Sequence, residues 1–311
     1  MADLRDQSLR FRLRREWPAY VYLLPTTIIL LVLNAYPIAY TIYISMTDFG
    51  TGGKGSLLKY HYIGLTNYQF AFTTGASTSW TLIENSFFWA AGSVALFLLV
   101  GLGLATVLNQ EIRGKTIYRT LILLPWAMPA FITILVWSNM WDYQYGIING
   151  LLSTVGVAPV YWLGHADSAW AALFITNLWL SFPFYTVVFV ATMQAIPKDL
   201  YEAASIDGAG SLSKFVRITL PFLKPTIIFV GLMGFLFTFN NFYPIYLITT
   251  GGPGISTQIF ITKSYDEAFG AVGATPAFST AAMYSVIDFL IIVAFTVIVL
   301  WRTDLTKNWL K

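Results

Sequence analysis

Long apolar stretches, separated by shorter polar segments, run through nearly the whole chain. A helix that crosses a bilayer needs roughly 20 mostly apolar residues. Six stretches meet this requirement, and we expect each to form a membrane-spanning helix: about 20–46, 86–108, 117–140, 168–195, 222–248 and 278–301. The pattern predicts an all-α membrane protein with six transmembrane helices.

Composition supports a membrane protein, because 57% of the 311 residues are hydrophobic and only 11% are charged. Soluble domains carry about 25% charged residues. These values exclude a soluble enzyme, a nucleic-acid binder and a disordered tail protein. The chain has no Cys, which excludes disulfides and thiol chemistry. A basic run precedes the first apolar stretch, which is too long for a cleavable signal peptide, so we expect an uncleaved helix.

Orientation follows from the distribution of Lys and Arg, which are retained on the cytoplasmic side. With the N-terminus inside, only Lys54, Lys59 and Lys263 of the 18 Lys and Arg residues lie on outside loops. Both termini are therefore predicted to be cytoplasmic. The predicted organisation is a cytoplasmic segment 1–19, a first helix with its outside loop 20–85, a core 86–302 that includes the loop 196–221, and a cytoplasmic tail 303–311.

The cytoplasmic loop 196–221 has an unusual pattern of helix start and stop residues. Pro197 can open a helix and Gly208 can end it. Ser211 or Ser213 can cap a second short helix that stops before Pro221. The residues alone fit two structures equally, a docking element for a cytoplasmic partner or an amphipathic loop on the lipid headgroups.

The same loop resembles the signature EAA–x3–G–x9–I–x–L–P of the membrane subunits of binding-protein-dependent ABC importers. Every fixed position matches, from Glu202-Ala203-Ala204 and Gly208 to Ile218, Leu220 and Pro221. The resemblance implies a type I ABC importer transmembrane domain, multi-pass in a bacterial-type plasma membrane. It implies that the loop is a coupling helix seated on an ATPase subunit. The coupling residues are then Glu202, Ala203, Ala204, Asp207 and Gly208, with Glu202 paired to a cation.

The family also implies a set of partners. They are a homologous second permease subunit, two ATPase subunits that hold ATP and Mg, an extracytoplasmic solute-binding protein, a sugar substrate and membrane lipid, with no nucleic acid. This chain has no phosphate-binding loop with the required spacing, no catalytic constellation and no metal-ligand cluster. We therefore expect no enzyme activity and no cofactor in the chain itself.

Three further segments are similar to the maltose-type permease subunits: Asn177 to Phe184, Phe239 to Tyr243, and Gly251-Gly252-Pro253. The well-studied maltose subunit has two extra N-terminal helices and a large inserted outside domain, which this sequence lacks. The resemblance implies transport of maltose or maltodextrin. Trehalose, galacto-oligosaccharides and cyclodextrins are alternatives.

Helical spacing places polar, small and aromatic residues on two faces. One face lies on span four and contains Asn177, Leu180, Ser181 and Phe184. The other lies on span five and contains Gly234, Thr238 and Asn241. Such faces can line a sugar cavity, since amides bond hydroxyls and rings cover a pyranose, or they can join helices. The resemblance implies the sugar site. It is only partly preserved, because the family has Asn and Ser at Thr238 and Gly234, and Gly and Tyr at Ser181 and Phe184.

Asp288 is a carboxylate within the sixth apolar stretch. Ionisable residues inside a membrane are costly and are candidates for function. Asp288 can bond a sugar hydroxyl, pair with a partner chain, or relay a proton in a proton-coupled secondary carrier. It can also be a hydrated structural residue near the outer part of the span.

Overall fold

The structure is a computed structural model that describes residues 9–50, 60–111, 113–270 and 276–302. In the first helix, side chains are described from Trp17 onward. The predicted cytoplasmic tail 303–311, the start of the basic N-terminal run, and the predicted outside cations Lys54 and Lys59 lie outside the described residues.

Helices make up nearly all regular structure of these ranges, and the one exception is an isolated antiparallel bridge between Thr47 and Tyr62. Two π-helical turns, Leu31–Ala35 and Phe215–Thr219, each join two α-helices into one run. The α-helices are α1 Leu9–Leu30, α2 Tyr36–Ser45, α3 Thr66–Phe72, α4 Ala76–Asn109, α5 Lys115–Ile122, α6 Leu124–Ala127, α7 Ala130–Met140, α8 Ile147–Thr154, α9 Ala166–Gln194, α10 Lys198–Ile206, α11 Ser211–Lys214, α12 Leu220–Phe239, α13 Phe242–Ile248, α14 Phe260–Phe269 and α15 Phe278–Arg302.

Five helical runs of the described chain are long and apolar enough to cross a membrane, and they confirm the helical membrane fold. They are Trp17–Ser45, Ala76–Asn109, Ala166–Gln194, Ser211–Phe239 and Phe278–Arg302. Each contains one predicted span or most of it. The total of six spans and the cytoplasmic position of both termini stay predictions.

The predicted third span, 117–140, is wrong as a single helix, because α5, α6 and α7 divide it. Pro125 lies in the first turn of α6, and Pro129 precedes α7 as its N-cap residue. Met128 is extended, as expected for a residue before proline. The 11-residue α7 is apolar but spans only about 16 Å at 1.5 Å per residue, which is too short to cross a bilayer alone.

The fifth span also differs from its prediction at both ends. Its helical run begins at Ser211, so the second helix predicted in the loop 196–221 does not stop before Pro221. Pro221 lies in the first turn of α12, directly after the π-helical turn Phe215–Thr219. The wider turn changes the hydrogen-bond register where a proline would otherwise break the helix. At the other end, the helix ends at Phe239 and the chain restarts as α13.

The core is formed by α4, α9, α12 and α15, with α4 packed along α9 and α12 packed against α4. Its largest fully buried members include Phe97, Phe189 and Phe239. Gly101 on α4 makes close packing possible, because a Cβ there would lie 2.6 Å from the Cβ of Tyr185 on α9. By contrast, no residue in the apolar part of α1 and the following turn is buried, and α2 is held by packing against α15. The core thus fixes α9 and α12 side by side.

Candidate functional site

A cavity of about 550 Å³ opens where α6, α9, α12 and α13 meet. Its volume is in the range of small-molecule sites, roughly 300–1,000 Å³. Successive turns of α9 and of α12 contribute residues to its wall. The lining residues are Phe97, Trp126, Leu180, Ser181, Phe184, Tyr185, Met233, Gly234, Phe237, Thr238, Asn240, Asn241, Phe242 and Tyr243.

None of these lining residues carries a charge. Amides come from Asn240 and Asn241, hydroxyls come mainly from Ser181 and Thr238, and aromatic rings cover much of the remaining wall. The ring of Phe184 lies 6.1 Å from that of Trp126, so two rings from different helices share one side of the cavity. A hydroxyl-rich, uncharged molecule would find hydrogen-bonding groups and flat apolar surfaces here without leaving an ion unpaired.

An amide network holds the wall of the cavity together. Asn177 on α9 is 1% exposed and donates from Nδ2 to Oγ of Ser93 on α4 at 3.1 Å. Its Oδ1 accepts a bond from Nδ2 of Asn241 at 3.2 Å. Asn241 is the N-cap residue of α13, outside the helical conformation of α12. The network therefore ties the break between α12 and α13 to the core helices α4 and α9.

The second candidate site is the exposed helix α10 on the loop 196–221, which is predicted to be cytoplasmic. Pro197 is its N-cap residue, and the helix ends at Ile206, whose side chain is 88% exposed. Glu202 and Ala203 lie exposed on its surface. Gly208 follows with a φ of +77°, in the left-handed region that favours glycine, and the amide of Ala209 donates to the carbonyl of Ala204 at 2.8 Å. The result is an exposed helix with a sharp glycine turn.

Two side-chain bonds connect α10 to the base of the run that contains α12. The hydroxyls of Tyr201 and Thr219 lie 2.8 Å apart, and Thr219 ends the π-helical turn. Nζ of Lys214 donates to Oγ of Ser205 at 2.6 Å. The exposed helix is thereby attached to the span that lines the cavity at its other end.

The sequence profile of the family described as the binding-protein-dependent transport system inner membrane component matches residues 97–302. The chain belongs to this family. The match includes every residue of the cavity lining and the whole of the loop 196–221. The family membership that the EAA signature indicated is therefore confirmed, and so is the predicted location in the inner membrane.

Three relatives that match most of the chain are named as sugar permeases. The chain is 34% identical over 298 residues to the trehalose/maltose transport system permease protein of Thermococcus litoralis, covering 95% of this chain and 97% of the relative. It is 34% identical to the maltodextrin permease protein of Streptococcus pneumoniae serotype 4, with coverage of 90% and 67%. It is 30% identical to the galactooligosaccharides permease protein of Bacillus subtilis, with coverage of 93% and 70%.

Among solved structures, the fold is similar to a chain of a bacterial alginate ABC transporter, crystallised with an alginate pentasaccharide-bound periplasmic protein. The TM-score is 0.79 at 21% identity, covering 96% of this chain and 99% of the other. The likeness shows that the two chains share a fold. The predicted ABC importer transmembrane architecture is thus confirmed.

Six of the eight residues predicted for the sugar site line the cavity: Leu180, Ser181, Phe184, Gly234, Thr238 and Asn241. Asn177 lies behind the wall and joins helices instead. Asp288 is outside the lining; it lies on α15, is 6% exposed, and its Oδ1 has no hydrogen-bond partner in the described part of the chain. Asn241 lines the cavity, but the prediction that it lies on a helical face of span five is wrong, because α12 ends at Phe239.

Sequence reasoning missed other lining residues. Phe237 follows Gly234 by three positions and Tyr185 follows Ser181 by four, so helical spacing could have found both. Asn240 and Tyr243 belong to a segment quoted for its resemblance to the maltose-type subunits. Phe97 on α4 and Trp126 on α6 gave no such signal, because only the packing of distant segments brings them to the cavity.

The motif Gly251-Gly252-Pro253, which is predicted to lie outside the membrane, forms a turn that packs against Gln258, just before α14. Gly251 has a φ of +85°, and a Cβ there would lie 3.1 Å from the side chain of Gln258. Gln258 donates from Nε2 to Oδ2 of Asp266, and burial raises the pKa of the Asp266 carboxyl above its usual range. Asn85 on α4 donates to the carbonyl of Gln258 at 3.0 Å. Gln258 thus connects this turn to α4 and α14.

Proposed function

We propose that the chain is the membrane-spanning permease subunit of an ATP-driven importer and forms half of a path for uncharged oligosaccharides. The observation that carries this proposal is the uncharged cavity lined by amides, hydroxyls and aromatic rings. Sugar hydroxyls pair with amide and hydroxyl groups, and the apolar face of a pyranose packs on a ring. No buried ion is needed to hold such a cargo.

Maltose or a maltodextrin is the substrate that we place first. The names of the relatives from Thermococcus litoralis and Streptococcus pneumoniae support it, while trehalose and galacto-oligosaccharides remain alternatives on the same grounds. An acidic polysaccharide is disfavoured, although the fold resembles a transporter of alginate. Each carboxylate of such a substrate would enter a cavity without a cationic lining residue, and an unpaired buried charge is costly.

The proposed assembly contains a homologous second permease subunit and two ATPase subunits that bind ATP and Mg and carry out hydrolysis. A solute-binding protein delivers the sugar to the outside loops. α10 docks in the ATPase subunit, with Glu202 paired to a cation and Ala203 and Ala204 allowing close approach. Asp207 and Gly208 complete the docking turn. The exposure of α10 and its attachment to the cavity-lining run through Tyr201 and Thr219 support this arrangement.

The test compares two carboxylates on α10. Glu202→Gln and Asp199→Asn remove the same charge from exposed positions three residues apart. We expect Glu202→Gln to reduce both co-purification of the ATPase subunits and sugar uptake in reconstituted vesicles, and Asp199→Asn to leave both near wild type. If no ATPase subunit co-purifies with the wild-type chain, or if Glu202→Gln behaves as Asp199→Asn does, the proposed docking is refuted.

A further inference from the structure

Tyr185 combines burial with an open hydrogen-bonding group. Its side chain is only 3% exposed, yet it is one of the residues that line the cavity. Its hydroxyl has no hydrogen-bond partner among the residues that the structure describes. A buried polar group without a partner is costly, so a cavity-facing hydroxyl of this kind is expected to be satisfied by whatever occupies the cavity.

Two glycines leave the space that this side chain occupies, one at each end. At its base, Gly101 on α4 provides the space for the Cβ of Tyr185, as described above. At its tip, a Cβ on Gly234 of α12 would collide with the Tyr185 hydroxyl oxygen, so this hydroxyl occupies the room that the missing side chain leaves. The ring of Phe97 packs on that of Tyr185 at 5.3 Å. Packing of the side chain therefore places the hydroxyl beside Gly234 before any ligand arrives.

The neighbouring ring adds a second element of geometry. Phe184 lies 5.3 Å from Tyr185 at an interplanar angle of 90°, so the two rings form a corner. Phe184 is 40% exposed and offers a flat apolar face, while Tyr185 offers a hydroxyl. A pyranose has both complements, an apolar face and hydroxyls at its edge, and each hydroxyl can donate and accept.

We propose that the Tyr185 hydroxyl hydrogen-bonds a hydroxyl of the transported sugar and is a specificity-determining group of the cavity. The assignment builds on the proposed function, since it requires an uncharged saccharide as cargo. Tyr185 selects saccharides that present a hydroxyl at this point when one of their rings packs on Phe184. Gly234 acts as a positioning residue, because it leaves the space that the hydroxyl needs.

The test is Tyr185→Phe in the complete transporter, with its binding protein and ATPase subunits, reconstituted in vesicles. We expect the KM for maltose uptake to rise by about 3- to 10-fold, because the variant loses one hydrogen bond to the sugar. The maximal rate should be largely retained. Monodeoxy maltose analogues identify the paired hydroxyl. In wild type, uptake of the analogue that lacks the paired hydroxyl should be weaker than uptake of maltose. Tyr185→Phe should not weaken uptake of this analogue any further. Tyr22→Phe, on an exposed part of α1, is the matched control.

A second pair of variants tests the geometry. Gly234→Ala should impair assembly or uptake, because its Cβ meets the Tyr185 hydroxyl; Tyr185→Phe in the same chain should restore assembly but not affinity. An unchanged KM and an unchanged analogue profile in Tyr185→Phe, with an active wild type, would overturn this inference alone and assign the hydroxyl to water. A wild-type complex that carries no uncharged saccharide would overturn the proposed function and this inference together.

Discussion

The turn that follows α10 allows one prediction to be worked out from backbone geometry. Gly208 has a φ of +77°, and a Cβ placed there meets no atom within 4 Å. Gly210, two residues later, has an ordinary φ of −71° and the same open surroundings. Serine at either position therefore adds the same atoms to the same loop, and only the backbone conformation differs.

The expected magnitudes follow from that difference. A residue with a Cβ pays about 1–2 kcal/mol to adopt the left-handed conformation, so Gly208→Ser disfavours the observed turn by that amount. If α10 docks only with this turn formed, and the turn is a minor conformer of the free loop, the affinity for the ATPase subunit falls by about 5- to 30-fold. At Gly210, which is the N-cap residue of α11, serine is at least as favourable as glycine. Gly210→Ser should leave the affinity within about twofold.

The assay titrates purified ATPase subunit against the solubilised permease pair and reads the half-saturating concentration. Gly208→Asn should give an intermediate loss, because Asn enters the left-handed region more readily than Ser does. Equal affinities for Gly208→Ser and Gly210→Ser would refute the reasoning, since the φ of the turn would then have no bearing on docking. A loss with Gly210→Ser alone would refute it as well.

Three further substitutions test the cavity, the link to the loop and the outside surface. Asn241→Ala removes a cavity amide and its bond to Asn177, so sugar uptake should fall while co-purification of the complex is retained; unchanged uptake rules out a major contact with substrate. Tyr201→Phe removes the bond to Thr219 and should lower the maximal uptake rate at unchanged KM. Burial raises the pKa of the Asp266 carboxyl above its ordinary value of 3.8, so the folded state binds this proton more tightly than the unfolded state does. The free energy of unfolding therefore falls as the pH rises from 3.8 to the raised pKa. Asp266→Asn should make the unfolding temperature less dependent on pH in this range.

The helix and glycine turn of the loop 196–221 were predictable because the sequence information that specifies them is local. Pro197, Gly208 and the residues between them set a helix and its end within a dozen positions, and the structure places α10 there. The five long spans were predictable for a similar reason, since length and apolar character suffice to indicate a membrane helix. The direction of the cavity-lining faces followed from helical spacing at Ser181 and Phe184, and at Gly234 and Thr238.

The breaks within spans were not predictable from apolar character alone. Hydrophobicity continues through Pro125 and Pro129 and through Asn240 and Asn241, so the pattern reads as uninterrupted helix although the backbone leaves the helical conformation. Neighbouring protein can stabilise such a break, and here the side chain of Asn241 donates to Oδ1 of Asn177, 64 positions earlier on α9. A contact of that sequence separation leaves no mark in local spacing.

Continuity of the helical run Ser211–Phe239 gives the link between docking and cavity a mechanical basis. From Thr219 to Thr238 the run covers about 28 Å at 1.5 Å per residue, with α10 attached at one end and the cavity wall at the other. The run then stops at Asn240, where the chain departs from helical geometry before α13. A continuous helical run that is attached to α10 at its base carries a displacement to its far end, where the Asn241–Asn177 bond joins the break to α9. We therefore expect displacement of α10 by the ATPase subunit to alter the cavity chiefly where Asn240 and Asn241 line it.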